Sequence, residues 1–191
     1  LTSLNAAQRR HVDRIQDSSV ILQQLISDIL DITKIESGQL ALQREGFDPR
    51  ELVQNCVASY AGMAERKGLV IYGNIDTATP AWVMGDGGRI RQILNNLVNN
   101  AIKFTDSGHV VVRLRAESPG TARTRLHFQV VDSGVGIREE DQACLFEPFY
   151  QIDGGSHLVR GAGIGLSICA RLAALMGTSI HVTSEPGLGS S

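Results

Sequence analysis

The chain has 191 residues, of which 42% are hydrophobic, 20% are charged and only 5% are aromatic. This length and apolar fraction suit one ordinary domain, or one domain with an appendage, and they exclude a globally disordered chain. Eighteen basic residues against 20 acidic ones give a net charge of -2, which argues against nucleic-acid binding driven by bulk charge.

The sequence carries no signal for a membrane or for secretion. No run approaches the roughly 18 apolar residues that a transmembrane helix needs, and the first residues do not resemble a signal peptide. Cys56, Cys144 and Cys169 are far apart and have neither CxxC nor zinc-ligand spacing. We therefore expect buried, reduced thiols and a cytoplasmic segment without membrane contact.

The first predicted element is a long helix that ends at Gly38. Its apolar face consists of two adjacent heptad seams, formed by Val12, Ile15, Ser19, Leu22, Ile26, Ile29 and Thr33 and by His11, Ser18, Leu22, Leu25, Ile29 and Ile32. Such a wide face has to be buried against other helices or against the following domain. We expect residues 1–40 to be one arm of a helical hairpin in a dimeric bundle, with a helix lying along the following domain as the alternative.

Residues 41–191 have the pattern of a mixed α+β domain, with helices on one face of a mostly antiparallel or mixed sheet. Asp48 and Pro49 are the N-cap and first-turn residues of a strong helix start, and Asp86 caps a second, amphipathic helix. The other predicted elements are a linker at 39–46, a strand at 69–75, a turn-rich connection at 76–80, strands at 109–116 and 124–131 joined by a turn at 118–120, a short helix at 139–145, a loop at 146–160, a helix at 164–176 and a strand at 179–184.

The helix that Asp86 caps carries an unusual set of polar side chains. Asn96, Asn100 and Lys103 follow one another at steps of four and three, so they share one face of an otherwise apolar helix. Amide oxygens are hard ligands that suit Mg²⁺, and a nearby lysine suits phosphate oxygens. Two interpretations stay open for this pattern by itself: a magnesium and phosphate site, or a solvated helix face.

Two glycine-rich segments follow along the chain. Asp132 opens the sequence DSGVGI directly after an apolar strand, where a carboxylate can accept a hydrogen bond from an exocyclic amine and glycines permit close approach of a ligand. Gly161 opens the sequence GAGIGL before a helix, whose first N–H groups and dipole form an anion site. Each segment alone is equally compatible with an ordinary turn, and a P-loop is excluded because GxxxxGK[ST] does not occur.

The polar helix face at Asn96, the segment at Asp132 and the segment at Gly161, in this order, resemble the N, G1 and G2 boxes of the GHKL ATP-binding superfamily. The sequence FEPF at Phe146 resembles the F box of sensor histidine kinases, and the helix that Asp86 caps closely matches their N-box helix. The region between Ile29 and Gly38 resembles the end of the second dimerisation helix of hybrid-type kinases. The sequence SEPGLGS at Ser184 resembles a further turn of that family. Nearly the whole chain is therefore similar to a sensor histidine kinase.

This resemblance implies a Bergerat-type α/β sandwich that binds ATP and Mg²⁺. Asn100 would ligate Mg²⁺ with Asn96 beside it, Lys103 would contact the phosphates, and these three residues would be catalytic. Asp132 would bind the adenine amino group. The implied ATP-binding residues are Asn96, Asn100, Lys103, Asp132, Gly134, Gly136, Ile137, Phe149, Arg160, Gly161, Gly163, Ile164, Gly165 and Leu166.

The implied reaction is transfer of the ATP γ-phosphoryl group to a histidine nitrogen, and then to an aspartate of a receiver domain. Phe146 and Phe149 would anchor the ATP lid. The implied partners are a second copy, bound through the N-terminal helix, and a response-regulator receiver domain. We expect no phosphoacceptor in this chain, since the H box His-Glu-x-x-x-Pro is absent and His11 lies in other surroundings. We also expect the chain to be part of a longer protein and to lack the last core strand of the family.

Two other functions are compatible with the motifs. A GHKL ATPase of the gyrase, chaperone or mismatch-repair kind has a glutamate as general base one turn before the metal-binding asparagine. This chain has Asn96 there, which cannot take a proton from water. A degenerate or regulatory kinase module would bind nucleotide or a partner kinase without autophosphorylation. The presence of Asn100, Lys103 and Asp132 weighs against lost nucleotide binding but not against a regulatory role.

Overall fold

A computed structural model of the chain describes residues 5–117, 124–152 and 163–191. Its helices are α1 (Ala6–Glu36), α2 (Pro49–Arg66), α3 (Gly87–Phe104), α4 (Glu139–Gln142) and α5 (Gly165–Leu175). Its strands are β1 (Glu45–Phe47), β2 (Val70–Ile75), β3 (Val83–Gly85), β4 (His109–Glu117), β5 (Arg125–Asp132), β6 (Ser184–Glu185) and β7 (Gly189–Ser190). The chain divides into two compact units, Leu1–Ala41 and Leu42–Ser191.

The first unit is built on α1, which starts with a capping box. The Asn5 side chain accepts a hydrogen bond from the Gln8 N–H, and the Gln8 side chain accepts one from the Asn5 N–H. The helix ends before Gly38, whose φ of +66° is readily adopted by glycine, as the sequence predicts. Several members of the predicted seam are exposed, namely Val12, Ile15, Leu22, Ile26 and Ile29. Within the described ranges, no helix is both long and apolar enough to cross a bilayer.

The second unit is built on a five-stranded mixed sheet with the strand order β2-β4-β5-β7-β6. β2 and β4 are parallel, and the remaining neighbours are antiparallel. A separate two-stranded sheet pairs β1 with β3 in antiparallel orientation. α2 packs against β2 and β4, α3 packs against β4 and β5, and α5 packs against α3. The predicted mixed sheet covered by helices is confirmed.

The core of this unit lies between the helices and the sheet. Alternate side chains of β4, Val110, Val112 and Leu114, are fully buried in it. Burial of an aliphatic side chain of this size contributes about 1.5–3 kcal/mol to folding. The helices and the Leu69 turn supply the other buried members, Leu52, Val53, Cys56, Ala64, Leu69, Leu94, Val98, Ala101 and Ile102.

The starts of α2 and α3 have the chemistry that the sequence predicts. Asp48 accepts hydrogen bonds from the N–H groups of Arg50 and Glu51. Asp86 Oδ1 accepts one from the Arg89 N–H at 3.0 Å. These side chains satisfy N–H groups that a helix start leaves without an intrahelical partner. Because a cap involves only neighbouring residues, both starts follow from local sequence.

Three predicted elements differ from the structure. The linker at 39–46 overlaps β1, which is paired with β3 rather than irregular. The strand at 179–184 is confined to Ser184 and Glu185, because its partner β7 has only two residues. The short helix at 139–145 ends at Gln142 and continues as turns. The predicted turn at 118–120 lies outside the described residues.

The three thiols lie in different surroundings, which predicts different reactivity. Cys56 and Cys169 are buried, whereas Cys144 is partly exposed. Burial also raises the pKa of the Cys56 thiol to about 11. We expect Cys144 to react first with a maleimide at neutral pH, and the two buried thiols to react only when the chain unfolds. Peptide mass spectrometry after timed labelling measures this, with urea-unfolded chain as the control. Rapid labelling of Cys56 in folded protein would contradict its place in the core.

Candidate functional site

The candidate site lies on the face of α3 that turns away from the core. Leu94, Val98 and Ile102 fix the opposite face by burial. At about 3.6 residues per turn, Asn96, Asn100 and Lys103 project from the other side of the helix. The three polar side chains are each partly buried. They are therefore held in one row by the same packing that anchors the helix.

The start of α5 lies against this row. A Cβ atom on Gly165 would stand 3.4 Å from Asn96 Oδ1, so the Gly165 backbone and the Asn96 amide are near neighbours. Asn96 Nδ2 is buried and has no hydrogen-bond partner among the described residues. A buried donor without a partner costs about 1–3 kcal/mol. The arrangement therefore favours a ligand that accepts a hydrogen bond from Asn96.

The first turn of α5 offers further donors at the same place. Ile164 occupies the N-cap position, and its side chain supplies no capping hydrogen bond. The Ser167 hydroxyl donates to the Ile164 carbonyl at 2.7 Å and so does not cap the helix either. The N–H groups at the start of a helix and the positive end of its dipole attract anions. Ile164, Gly165 and Leu166 form the start of α5, the helix whose N-terminus the sequence predicts to be an anion site.

Asp132 stands at the end of β5, where it is paired with Ser190 of β7. Its Oδ1 accepts a hydrogen bond from the Gly134 N–H at 2.8 Å. Burial raises the pKa of the Asp132 carboxyl. Hydrogen bonds from the N–H groups of Gly134 and Ser190 and the charge of His109 act in the opposite direction but are outweighed. A partly desolvated carboxyl of this kind is a strong hydrogen-bond acceptor when ionised.

Gly134 docks the turn after β5 onto the end of α3. A Cβ atom at this position would lie 2.5 Å from the Phe104 carbonyl oxygen and 2.9 Å from Thr105 Oγ1. The neighbouring Val135 N–H donates to the same Phe104 oxygen at 3.3 Å. The contact places the Asp132 turn beside the helical turn that carries Lys103.

Gly136 and Ile137 join the same turn to the C-terminal hairpin. Gly136 has a φ of +68°, and a Cβ atom there would overlap the Glu185 carbonyl oxygen. The Ile137 N–H donates to Ser184 Oγ at 2.8 Å. Packing within the protein thus explains the glycines at 134 and 136, which the sequence analysis attributes to close approach of a ligand.

Phe149 and Gly163 contact each other through their backbones. The Phe149 N–H donates to the Gly163 carbonyl at 2.9 Å, and a Cβ atom on Gly163 would lie 2.8 Å from the Tyr150 carbonyl oxygen. Phe149 has a φ of +66°, a conformation that costs a bulky residue roughly 1–3 kcal/mol. Phe149 as a whole is 71% exposed, and this contact is made by its backbone. Arg160 and Gly161 lie outside the described residues.

A polar cluster around Asp141 holds the same loop, and the sequence analysis missed it. The nearly buried Asp141 accepts hydrogen bonds from the Tyr150 hydroxyl at 2.7 Å and from Arg138 Nε at 2.8 Å. These bonds lower the pKa of Asp141, and donation of the Tyr150 hydroxyl to Asp141 raises the pKa of Tyr150 to about 12. The spacing of Arg138 and Asp141 is a weak helix signal. Nothing in the sequence points to Tyr150.

Among the described residues, no acidic or histidine metal cluster accompanies the polar row of α3. In residues 5–117, 124–152 and 163–191, no group of three or more His, Cys, Asp or Glu side chains is placed to hold a metal ion. Amide oxygens on this face of α3, which include those of Asn96 and Asn100, could instead ligate a cation.

The mixed sheet, the helices packed on it and the glycine turns docked on α3 together define a Bergerat-type α/β sandwich. Residues 85–191 match the family model described as histidine kinase-, DNA gyrase B-, and HSP90-like ATPase. The chain belongs to this family. The resemblance to the GHKL superfamily is thereby confirmed.

Individual relatives narrow the comparison to histidine kinases. The chain is 41% identical over 182 residues to the sensor histidine kinase RcsC of Escherichia coli, covering 95% of this chain and 19% of that protein. It is 39% identical over 190 residues to the hybrid signal transduction histidine kinase B of Dictyostelium discoideum, covering 99% of this chain and 10% of that protein. The chain thus spans between about a tenth and a fifth of the length of these curated relatives.

Solved structures agree with this assignment. The full-length structure of ShkA in complex with AMPPNP matches with a TM-score of 0.82 and 33% identity, over 99% of this chain and 38% of that one. The Acinetobacter baumannii histidine kinase AdeS matches with a TM-score of 0.75 over 99% of this chain and 83% of that one. AdeS is 21% identical and shows the fold alone. The expected match to the catalytic region of hybrid-type sensor histidine kinases is confirmed.

The Asp141 cluster predicts a measurable contribution of one hydroxyl to stability. Tyr150→Phe removes the hydrogen bond to Asp141 and leaves a nearly buried carboxylate oxygen with one donor fewer. We expect a lower urea midpoint with an unchanged slope. Tyr72→Phe is the matched control, since Tyr72 is an exposed residue of β2. Equal midpoints for the two variants would show that the Tyr150 hydroxyl does not hold the loop.

Proposed function

We propose that this chain is the ATP-binding catalytic region of a two-component sensor histidine kinase. The observation that carries the proposal is the buried Asn96 Nδ2 atom, which has no hydrogen-bond partner among the described residues. The Asn96 amide lies beside Gly165 at the start of α5, which has no side-chain cap. A triphosphate placed there would accept hydrogen bonds from Asn96 and from the N–H groups of α5. The AMPPNP bound to the similar ShkA chain supports the same class of ligand.

The amide oxygens on the polar face of α3 fit Mg²⁺ that is bound together with nucleotide. Mg²⁺ prefers oxygen ligands and commonly takes only one or two from the protein, with phosphates and water supplying the rest. Asn100 would provide the amide oxygen, and Asn96 would stand beside it. Lys103 would contact the phosphates. Burial lowers the pKa of Lys103, and its ammonium lies 4.8 Å from the centre of the Phe104 ring, a cation–π distance.

The adenine end of the site would be formed around Asp132. Its Oδ1 already accepts the Gly134 N–H, which fixes the orientation of the carboxyl group. The other carboxylate oxygen would accept a hydrogen bond from the adenine amino group. Gly134, Gly136 and Ile137 would hold this turn in shape through their contacts with α3 and the C-terminal hairpin.

The chemistry assigned to this chain is binding and orientation. When bound, the nucleotide would supply the γ-phosphoryl group and Mg²⁺ would offset the negative charge of the phosphates. Asn96, Asn100 and Lys103 would orient the phosphates for in-line attack by an acceptor. Because Asn96 replaces the general base of a GHKL ATPase, the site does not activate water through this residue, which favours transfer to an acceptor over hydrolysis. The proposed acceptor is a histidine outside this chain.

The proposed partners follow from the exposed seam of α1 and from the relatives. We infer that the seam of α1 pairs with a second copy of the protein, because large aliphatic side chains recur along it in the exposed state. A receiver domain would take the phosphoryl group from the histidine onto an aspartate. The segment would work in the cytoplasm, within a longer protein.

Calorimetric titration with AMPPNP, with and without Mg²⁺, tests the nucleotide site. We expect binding that Mg²⁺ strengthens. Labelling of the longer protein with ATP carrying a radioactive γ-phosphate then tests catalysis. An acid-labile, base-stable label supports a phosphohistidine. Binding without label would instead support a regulatory module, and steady ATP hydrolysis without any acceptor would favour a GHKL ATPase.

Asn100→Ala tests the proposed metal ligand. We expect the variant to lose the Mg²⁺-dependent gain in AMPPNP affinity, by roughly tenfold or more, because an oxygen ligand is removed. Asn99→Ala is the matched control, since Asn99 is the adjacent amide and is exposed. Equal Mg²⁺ dependence in the two variants, measured by calorimetry, would refute the role of Asn100.

Asp132→Asn tests recognition of the base. The amide keeps an acceptor for the Gly134 N–H but places a donor where the adenine amino group would bind. We expect weaker AMPPNP binding and a smaller preference for AMPPNP over GMPPNP. Asp106→Asn removes an exposed carboxylate and should change neither quantity. An unchanged preference in Asp132→Asn would place the adenine elsewhere.

A further inference from the structure

Lys67 connects the end of α2 to the end of α3. Its ammonium donates hydrogen bonds to the carbonyl oxygens of Ile102 at 2.7 Å, Lys103 at 3.0 Å and Thr105 at 2.9 Å. A lysine ammonium has three donors, so all of them are used on one helix end. The positive charge also stands at the negative end of the α3 dipole, where it is favourable.

These bonds complete the hydrogen bonding of the last turn of α3. The last four carbonyls of a helix have no intrahelical partner. The Thr105 hydroxyl satisfies the Ala101 carbonyl at 2.7 Å, and the Val135 N–H satisfies the Phe104 carbonyl at 3.3 Å. Lys67 satisfies the two that remain, which include the carbonyl of Lys103 itself.

The last turn of α3, which Lys67 holds, belongs to the candidate site as well as to the core. It carries the Lys103 side chain, and Gly134 packs against its Phe104 carbonyl. Lys67 itself is an exposed residue that uses all its donors on backbone oxygens. Its substitution therefore leaves the apolar core unchanged and alters mainly how firmly the turn is held.

We propose that Lys67 is a positioning residue for the nucleotide site, which holds the backbone at Lys103 so that the Lys103 ammonium meets the phosphates. This inference rests on the proposed function. In this proposal Lys67 does not contact the nucleotide. Its effect reaches the ligand through Lys103, so the two substitutions should not be independent.

Substitutions in the 191-residue chain test this role. We expect Lys67→Met to weaken AMPPNP binding roughly five- to tenfold, the size expected for coupling between residues in contact. Arg66→Met is the matched control, since it removes the neighbouring exposed positive charge from α2. Arg66→Met should leave the affinity unchanged, and Lys67→Arg, which keeps the charge and several donors, should recover most of the loss. Circular dichroism verifies that each variant is folded at the temperature of the titration.

A double-mutant cycle with Lys103→Ala separates positioning from simple stabilisation. If Lys67 acts through Lys103, Lys67→Met should weaken AMPPNP binding much less in the Lys103→Ala background. An equal loss in both backgrounds would overturn the proposal. A lower melting temperature with unchanged affinity would also overturn it, because it would show a structural role alone. Absence of AMPPNP binding by the parent chain would overturn the proposed function as well, whereas normal binding by Lys67→Met would overturn only the role of Lys67.

Discussion

The burial of one face of α3 is the constraint on which the rest of the second unit depends. Leu94, Val98 and Ile102 are almost completely removed from solvent, and each belongs to the core between the helices and the sheet. A helix held in this way cannot rotate by one residue, about 100°, without exposing these side chains and burying Asn96 or Asn100. The apolar positions of α3 thus determine the direction of its polar row, although they contact no ligand.

Distant segments of the chain meet at the end of α3 because they donate hydrogen bonds to its main-chain carbonyls. Its last carbonyls are satisfied by the Thr105 side chain that follows the helix, by the Lys67 side chain at the end of α2, and by the Val135 N–H from the turn after β5. Burying a carbonyl without a partner is costly, so these three segments have to meet here. The requirement to satisfy the end of a helix therefore brings Lys103 and Asp132 onto adjacent elements.

Local chemistry could be predicted from the sequence, but contacts between distant residues could not. The helix starts at Asp48 and Asp86 involve only neighbouring residues, and both were predicted. β1 and β3 were missed because three-residue strands carry too little alternation to be recognised, and each forms only by pairing with the other. The contacts of Lys67 and Asp141 were missed as well, because they depend on the folded arrangement and leave no pattern in the sequence. A glycine in the sequence does not reveal whether protein or ligand packs against it. The packing of Gly134 against the end of α3 could therefore not be distinguished from close approach of a ligand.

The contact between Phe149 and Gly163 explains how the start of α5 comes to lie beside Asn96. A bulky residue adopts a left-handed conformation only where its surroundings enforce it. Here the Phe149 N–H is bonded to the Gly163 carbonyl, and the adjacent Tyr150 is bonded to Asp141. Gly163 is two residues before Gly165, so this bond limits where α5 can begin. The strain at Phe149 is therefore part of the arrangement that brings the anion-binding end of α5 to the polar row of α3.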